Sequence, residues 1–462
     1  MDDLEQGSYQ CIFVYVPILL DFKFFPIDEV VFSLDGREHL FTMVLHFTGQ
    51  QASGVHALIN LQCRALSLEL PMLILEPVMT RNKFKAMPHT PFNESQTNAS
   101  NIVPPPEDAL LFADLFNMAN FNKISRDLNY SQLAPRDFFF KNAPRKIILV
   151  FIYEGERNEL PELTRLWPKR NTSAGACFDP LTSHLFHSDP KYQLYQIVQK
   201  GFCIVNVILF RMTRGEALIF TEAQLRTNIL GHMKTTGFTL VFNIWMPKFV
   251  LPGIKGRECI DSGYHSSKGQ FQPSRRLLAN AKYYKKHFLS STYNHITLMI
   301  RLEQVYMYLH RPRSAYGNWT VKKCLDVAIQ KVKEYQNNRS LGLPFVTLDV
   351  GKYGSKTLKS AVSLDKLKND TKYISRLLST VYDHHWNLKE WENSFTESTG
   401  GIVDSSYVAA LQRTLASRAE CLVLVGGGMF QELTMRKYME LHKKEDWCIK
   451  FLCIKDRIDN EV

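Results

Sequence analysis

The chain has 462 residues, 45% hydrophobic and 12% aromatic, which is more than one ordinary core requires and excludes a largely disordered protein. Its formal net charge of +11 comes from scattered Lys and Arg, with only short clusters such as Arg275-Arg276, Lys282 to Lys286 and Lys443-Lys444. This describes a basic surface and carries no nucleic-acid footprint, although it suits a site for an anionic ligand such as a pyrophosphate.

Near the N-terminus the apolar run Cys11 to Leu20 spans ten residues and is followed by Asp21 and Lys23. About 20 apolar residues are needed to cross a bilayer, so it is not a membrane span. Asp2, Asp3 and Glu5 precede it where a signal peptide carries positive charge, so targeting is unusual or the true N-terminus is missing. Membrane anchoring is expected only if an upstream segment is absent.

From residue 41 onward, short apolar runs alternate with longer amphipathic stretches, the pattern of parallel sheets covered by helices. Phe41 to Phe47 reads as a strand and Gly49 to Gly54 as a loop. Val55 to Leu68 reads as a helix with Leu58, Leu61, Cys63 and Ala65 inward. Pro71 to Leu75, Lys146 to Tyr153, Cys203 to Phe210 and Phe238 to Trp245 supply further strands. Val78 to Glu107 and Asn158 to Ser188 lack sustained periodicity and read as surface insertions. Pro247 to Pro273 holds four glycines and reads as the linker between an N-terminal domain, 41–246, and a C-terminal one, 274–462; the role of residues 1–40 is open.

The second half restarts with a helix from Ser274 to Leu289, a strand from His295 to Leu302, and a helix from Val321 to Tyr335 with Leu325, Ala328, Ile329 and Val332 on one face. A strand Phe345 to Asp349, a helix Tyr407 to Ala416, a strand Cys421 to Val425, a helix Phe430 to His442 and a strand Ile449 to Ile454 complete it. The expected fold class is α/β, with two Rossmann-like domains facing a cleft.

In such sheets ligands bind beyond the carboxyl ends of the strands, which directs attention to four places. After Cys421 to Val425 come Gly426, Gly427, Gly428, Met429 and Phe430 and then a helix, so backbone amides can approach an anion at a helix N-terminus. A tight strand-to-helix turn is the plainer reading. The spacing is not GxGxxG, so no dinucleotide site is inferred. The strand Ile296 to Ile300 delivers Arg301 and Glu303; a guanidinium there grips phosphate oxygens and neutralises a departing nucleoside diphosphate, unless the two form a surface pair. Asp349, Gly351 and Ser355 end another strand, where a carboxylate either meets a base or ribose or caps the turn. In the first half, Gly49, Ser53 and Gly54 form a glycine loop with His56 beyond it, against which a sugar phosphate could rest.

The nine cysteines show no CxxC and no zinc-ligand spacing, and the odd count leaves at least one without a mate in the chain. No Ser/His/Asp arrangement, HExxH or Walker sequence is present, nor a DxD-like carboxylate pair suited to a divalent ion. Hydrolase, metalloprotease and P-loop readings therefore drop, and no metal site is expected. Seven Asn-x-Ser/Thr triplets, at Asn93, Asn98, Asn129, Asn171, Asn318, Asn338 and Asn369, point instead to the lumen of the secretory pathway.

Taken in order, several segments resemble the GDP-fucose protein O-fucosyltransferase group of GT-B glycosyltransferases. The glycine loop near Gly49, followed by a helix with Leu61-Gln62-Cys63, resembles its first block, and Met72 to Pro77 its next strand. Phe112 to Met118, Phe121-Asn122 and Ala143 to Arg145 are similar to segments of fucosyltransferase-like animal proteins, and Phe238 to Trp245 to the strand that ends their N-terminal domain. Phe271 to Ser274 with Ile300-Arg301 resembles the region of the His-x-Arg element, Leu348-Asp349 the Thr-Asp element, and Gly428 to Phe430 the Ser-Ser-Phe element that touches the nucleotide. The chain departs from the pattern at Met299, where the group has histidine, at Gly428-Met429 for Ser-Ser, at Met246 after the Trp, and at Gln412, where a carboxylate is often found.

The resemblance implies a metal-independent, inverting transfer of fucose from GDP-fucose to a Ser or Thr hydroxyl of a protein acceptor in the endoplasmic reticulum or Golgi lumen. The expected donor is GDP-fucose, with no separate cofactor and no nucleic-acid partner. It implies leaving-group stabilisation by Arg301 and donor contacts from Gly49, Ser53, Gly54, Asp349, Ser355, Gly426, Gly427, Gly428 and Phe430, and it leaves the base open between Glu303 and His56. Two alternatives stand beside it: a catalytically inactive lumenal binding or scaffold protein of the same fold, and a transferase using another nucleotide sugar.

Overall fold

A computed structural model describes residues 40–43, 72–79, 110–142, 145–154, 197–212, 239–243, 269–289, 294–301, 304–305, 320–342, 344–348 and 405–453, with Cys177 and scattered positions between 55 and 66. The chain divides into two compact units, one of residues 1–48, 54–78 and 84–272, the other of residues 49–53, 79–83 and 273–462.

The first unit carries a six-stranded parallel sheet of β1 (Leu40–Met43), β2 (Met72–Leu75), β3 (Gln132–Ala134), β4 (Lys146–Glu154), β5 (Cys203–Met212) and β6 (Thr239–Asn243), in the order β3-β2-β1-β6-β4-β5. The residues described between 55 and 66 are helical, and Leu58, Leu61, Cys63 and Ala65 are buried, as their spacing requires. Three short helices follow β2: α1 (Phe112–Leu115), α2 (Met118–Asp127) and α3 (Arg136–Asn142). None is long enough to persist alone. The first two are held by Phe112, Phe116 and Phe121, whose rings surround Phe271 at centroid distances of 5.4 to 6.3 Å, and α3 packs Phe139 and Phe140 against Phe202 at 5.2 and 6.0 Å. Beside this cluster Gln270 donates from Nε2 to Ser125 Oγ at 2.8 Å and to Gln62 Oε1 at 3.2 Å, so a buried polar set is satisfied internally. Residues 269–272, within the stretch expected to link the domains, are thereby built into the first unit.

The second unit carries four parallel strands, β7 (Ile296–Ile300), β8 (Phe345–Leu348), β9 (Cys421–Val425) and β10 (Ile449–Leu452), in the order β10-β9-β7-β8. Every residue of β7 and β9 is buried. This is why β9 reads as an unbroken apolar run and β7 as one interrupted only by Thr297: helices cover both faces of a parallel sheet. The covering helices are α4 (Arg275–Phe288), α5 (Val321–Arg339), α6 (Ser405–Ala416) and α7 (Met429–Leu441). Ser274 caps α4, its side chain accepting from Leu277 N at 3.2 Å, and Thr320 caps α5 by accepting from Lys323 N at 3.2 Å. Leu325, Ala328, Ile329 and Val332 of α5 pack into the core with the apolar residues of β7 and β9.

Disulfides join Cys324 of α5 to Cys453 beyond β10, and Cys421 at the start of β9 to Cys448 just before β10. A third joins Cys177 to Cys203 in the first unit, and Cys63 is also disulfide-bonded. None of these pairings was readable from cysteine spacing.

Glu76 follows β2 and is buried, its Oε1 accepting from Ala113 N at 3.0 Å, while Arg136 Nε donates to the Glu76 backbone oxygen at 3.0 Å. Burial pushes its carboxyl from 4.5 up to about 7, aided by Asp114 and Asp137 and opposed by the Ala113 hydrogen bond and by Arg136. A carboxyl whose folded pKa exceeds its unfolded one favours folding when protonated, so its contribution is complete below pH 4.5 and lost as pH rises to about 7. That difference amounts to roughly 3 kcal/mol. Denaturant titrations of parent and Glu76→Gln between pH 5 and 8 are expected to converge at low pH, with the variant the more stable at pH 8. Curves that stay parallel across the range would contradict the assignment.

Candidate active site

The second sheet has one topological switch point. From β7 the chain passes to β8 on one side and then returns to β9 on the other, so the connections diverge between β7 and β9, whose carboxyl ends are where sheets of this kind hold ligands. Arg301 directly follows β7, and Gly426 directly follows β9.

The two segments meet there. Arg301 N donates to Val425 O at 2.8 Å, and Gly426 N donates to Leu452 O at 3.0 Å. Gly426, Gly427 and Gly428 have φ of 95°, 68° and 105°, a backbone path that any residue with a Cβ resists. Space requires glycine too: a Cβ on Gly426 would stand 2.4 Å from Arg301 O and 2.9 Å from Val305 Cγ2. The buried Arg301 side chain lies along Gly428, where a Cβ would meet Nη1 at 3.3 Å and Cζ at 3.8 Å, with Gln304 Cγ at 3.6 Å.

Gly428 is the N-cap of α7 and supplies no side-chain cap. The first amides of a helix have no acceptor within it, and the helix dipole adds positive potential at this end. A guanidinium beside a glycine turn at such a terminus makes a site for a phosphate or diphosphate group. Phe430, the second residue of α7, is buried, and Gln431 after it donates to the carbonyls of Met299 and Val425 at 2.9 and 3.0 Å. Nothing in the sequence singled out Gln431; a buried amide in the first turn of a helix has no linear signature.

Of the residues proposed from sequence, the structure therefore brings together Arg301, Gly426, Gly427, Gly428 and Phe430. Gly49, Ser53, Gly54, His56, Glu303, Asp349 and Ser355 lie outside the described residues. Met299 is buried within the sheet, so no imidazole precedes Arg301, and Gln412 is half-buried on α6. His295 lies at the opposite, amino end of β7, where burial and Lys285 push its pKa from 6.5 down to about 4 and its Nε2 lies 3.2 Å from Leu415 O.

No protein-family profile matches the chain, and no curated protein matches it in sequence. Among solved structures it is similar to POFUT1 in complex with GDP-fucose, at 11% identity over 90% of this chain and 98% of that one, with a TM-score of 0.49. It is similar to POFUT1 in complex with GDP, at 11% identity over 89% of this chain and 97% of that one, with a TM-score of 0.48. An arginine-to-lysine variant of Arabidopsis thaliana FUT1 in complex with GDP shows 12% identity over 93% of this chain and 73% of that one, with a TM-score of 0.33.

Proposed function

We propose that the chain is a GDP-fucose-dependent glycosyltransferase that holds the donor diphosphate at the β7/β9 switch point of its second unit and transfers fucose to a Ser or Thr hydroxyl of a protein acceptor. One observation carries the diphosphate site: Arg301 and the Gly426 to Gly428 turn, far apart in sequence, meet at the carboxyl ends of adjacent parallel strands and at a helix N-terminus. The guanosine, the fucose and the acceptor come from the sequence resemblance and from the order of its segments.

In the transfer, the acceptor oxygen forms a bond to the anomeric carbon of fucose as the bond from that carbon to the β-phosphate oxygen of GDP breaks, and the hydroxyl proton passes to a base. Negative charge grows on the departing diphosphate. Arg301 and the α7 terminus, placed together by the fold, neutralise that charge without calling on a metal. Two observations support a secretory compartment. Disulfides persist where the medium is oxidising, and the acceptor residues Asn129 and Asn338 are exposed.

The substitutions at Met299 and Gly428-Met429 favour a second reading, a lumenal protein that binds the nucleotide without turnover, because they remove an imidazole and two hydroxyls from the motifs they resemble. Incubation with GDP-fucose and a panel of small disulfide-bonded extracellular modules separates the two. GDP release that depends on one module, with fucose found on it, is expected of the enzyme. Binding of GDP with no release against any module would support the second reading.

A further inference from the structure

Three consecutive glycines have no side chains with which to hold a shape, and the N-cap Gly428 adds no cap hydrogen bond. The backbone at the diphosphate site is therefore fixed from outside the turn. Gln431, the third residue of α7 and 1% exposed, reaches back beneath it. Its Nε2 donates to Met299 O of β7 at 2.9 Å and to Val425 O of β9 at 3.0 Å, so one amide joins the two strands that flank the switch point to the first turn of the helix. Val425 O is the same carbonyl that receives Arg301 N at 2.8 Å.

The other half of the amide shows that packing is not the reason for a glutamine here. Its Oε1 is buried and has no hydrogen-bond partner. An apolar side chain of the same length would fill the space without leaving an acceptor unsatisfied. What the glutamine adds is the pair of N–H donors aimed at two strand-end carbonyls.

We propose that Gln431 is a positioning residue that holds the glycine turn in register with Arg301, and so keeps the diphosphate site formed before ligand arrives. Its effect on ligand rests on the nucleotide reading above; its effect on the turn does not. Gln431→Met keeps the length and removes both donors, while Gln431→Glu offers a single donor only when its carboxyl is protonated.

Hydrogen exchange of the full chain is expected to quicken at Gly427 to Phe430 in Gln431→Met, with Thr434 to Tyr438 of α7 keeping the protection of the parent. GDP affinity in that variant is expected to fall roughly ten-fold at every pH, the scale of one or two lost hydrogen bonds. In Gln431→Glu it is expected to recover as pH is lowered, which a loss of packing would not produce. Should Gln431→Met fail to fold, the pH response of Gln431→Glu decides alone. Parent-like exchange in the turn together with parent-like affinity in Gln431→Met would overturn the proposal, as would a pH-independent Gln431→Glu. If the parent itself binds no GDP, the nucleotide reading falls, and the exchange of the turn still decides the role of Gln431.

Discussion

Gly426→Ala is expected to destabilise the second unit by roughly 3 to 5 kcal/mol, the sum of a left-handed backbone cost and an overpacking cost. At φ 95° an alanine is strained whatever the space. The added methyl would also stand 2.4 Å from Arg301 O, and that atom cannot retreat because it accepts from Gln304 N and Val305 N, both at 3.0 Å. Relief requires the exit of β7 to separate from β9, which carries Arg301 away from Gly428. Gly201→Ala is the control, since its φ of 84° is similar but nothing lies within 4 Å of the added carbon. Its cost is expected to be only about 1 to 2 kcal/mol. Chemical denaturation of both variants checks the difference; equal losses would mean that the close approach of the two strands at Gly426 is not as described.

Arg301→Ala is expected to lose about 100-fold or more in GDP affinity or transfer, the scale of removing one fixed charged donor from a phosphate or oxyanion site. The guanidinium lies beside Gly428, and the backbone amide of Arg301 donates to Val425 O at 2.8 Å, so the fold places this residue at the end of β7. Arg301→Lys is expected to recover only part of the loss, because an ammonium presents a point charge and no planar fork. Titration calorimetry with GDP measures all three proteins. Unchanged affinity in the alanine variant, with its far-ultraviolet circular dichroism retained, would remove Arg301 from the site.

Where burial alone decides the pattern, the sequence was readable. The strand Cys421–Val425 was found residue for residue, because a strand covered on both faces leaves no polar position to blur its ends. The helix read over Ser274 to Leu289 matches α4 to within one residue at each end, and Ser274 stands outside it as the cap. The inward face of α5 followed from spacing alone. The helices α1 to α3 and the edge strand β3 were not anticipated, because tertiary contacts hold them: Phe271 against three phenylalanines, Phe139 and Phe140 against Phe202, and the Asn122 side chain paired to both backbone groups of Leu133.

The candidate site was legible in its parts and not in its assembly. Arg301 and Gly426 stand out as polar or flexible residues at strand ends, yet only the strand order β10-β9-β7-β8 shows that they share the switch point. Gln431 and Glu76 acquire their character from burial beside particular backbone groups, which no local pattern records.

The β7/β9 switch point is expected to bind the diphosphate of GDP-fucose. Thermal stability of the purified chain with GDP, GDP-fucose, GDP-mannose and UDP-sugars tests it most directly, because a ligand held only by the native state stabilises by RT ln(1 + [L]/Kd). At 100-fold above Kd the expected gain is about 2.7 kcal/mol, seen with GDP and GDP-fucose and largely lost in Arg301→Ala. No shift with any nucleotide at ~100-fold above a micromolar Kd would contradict the account.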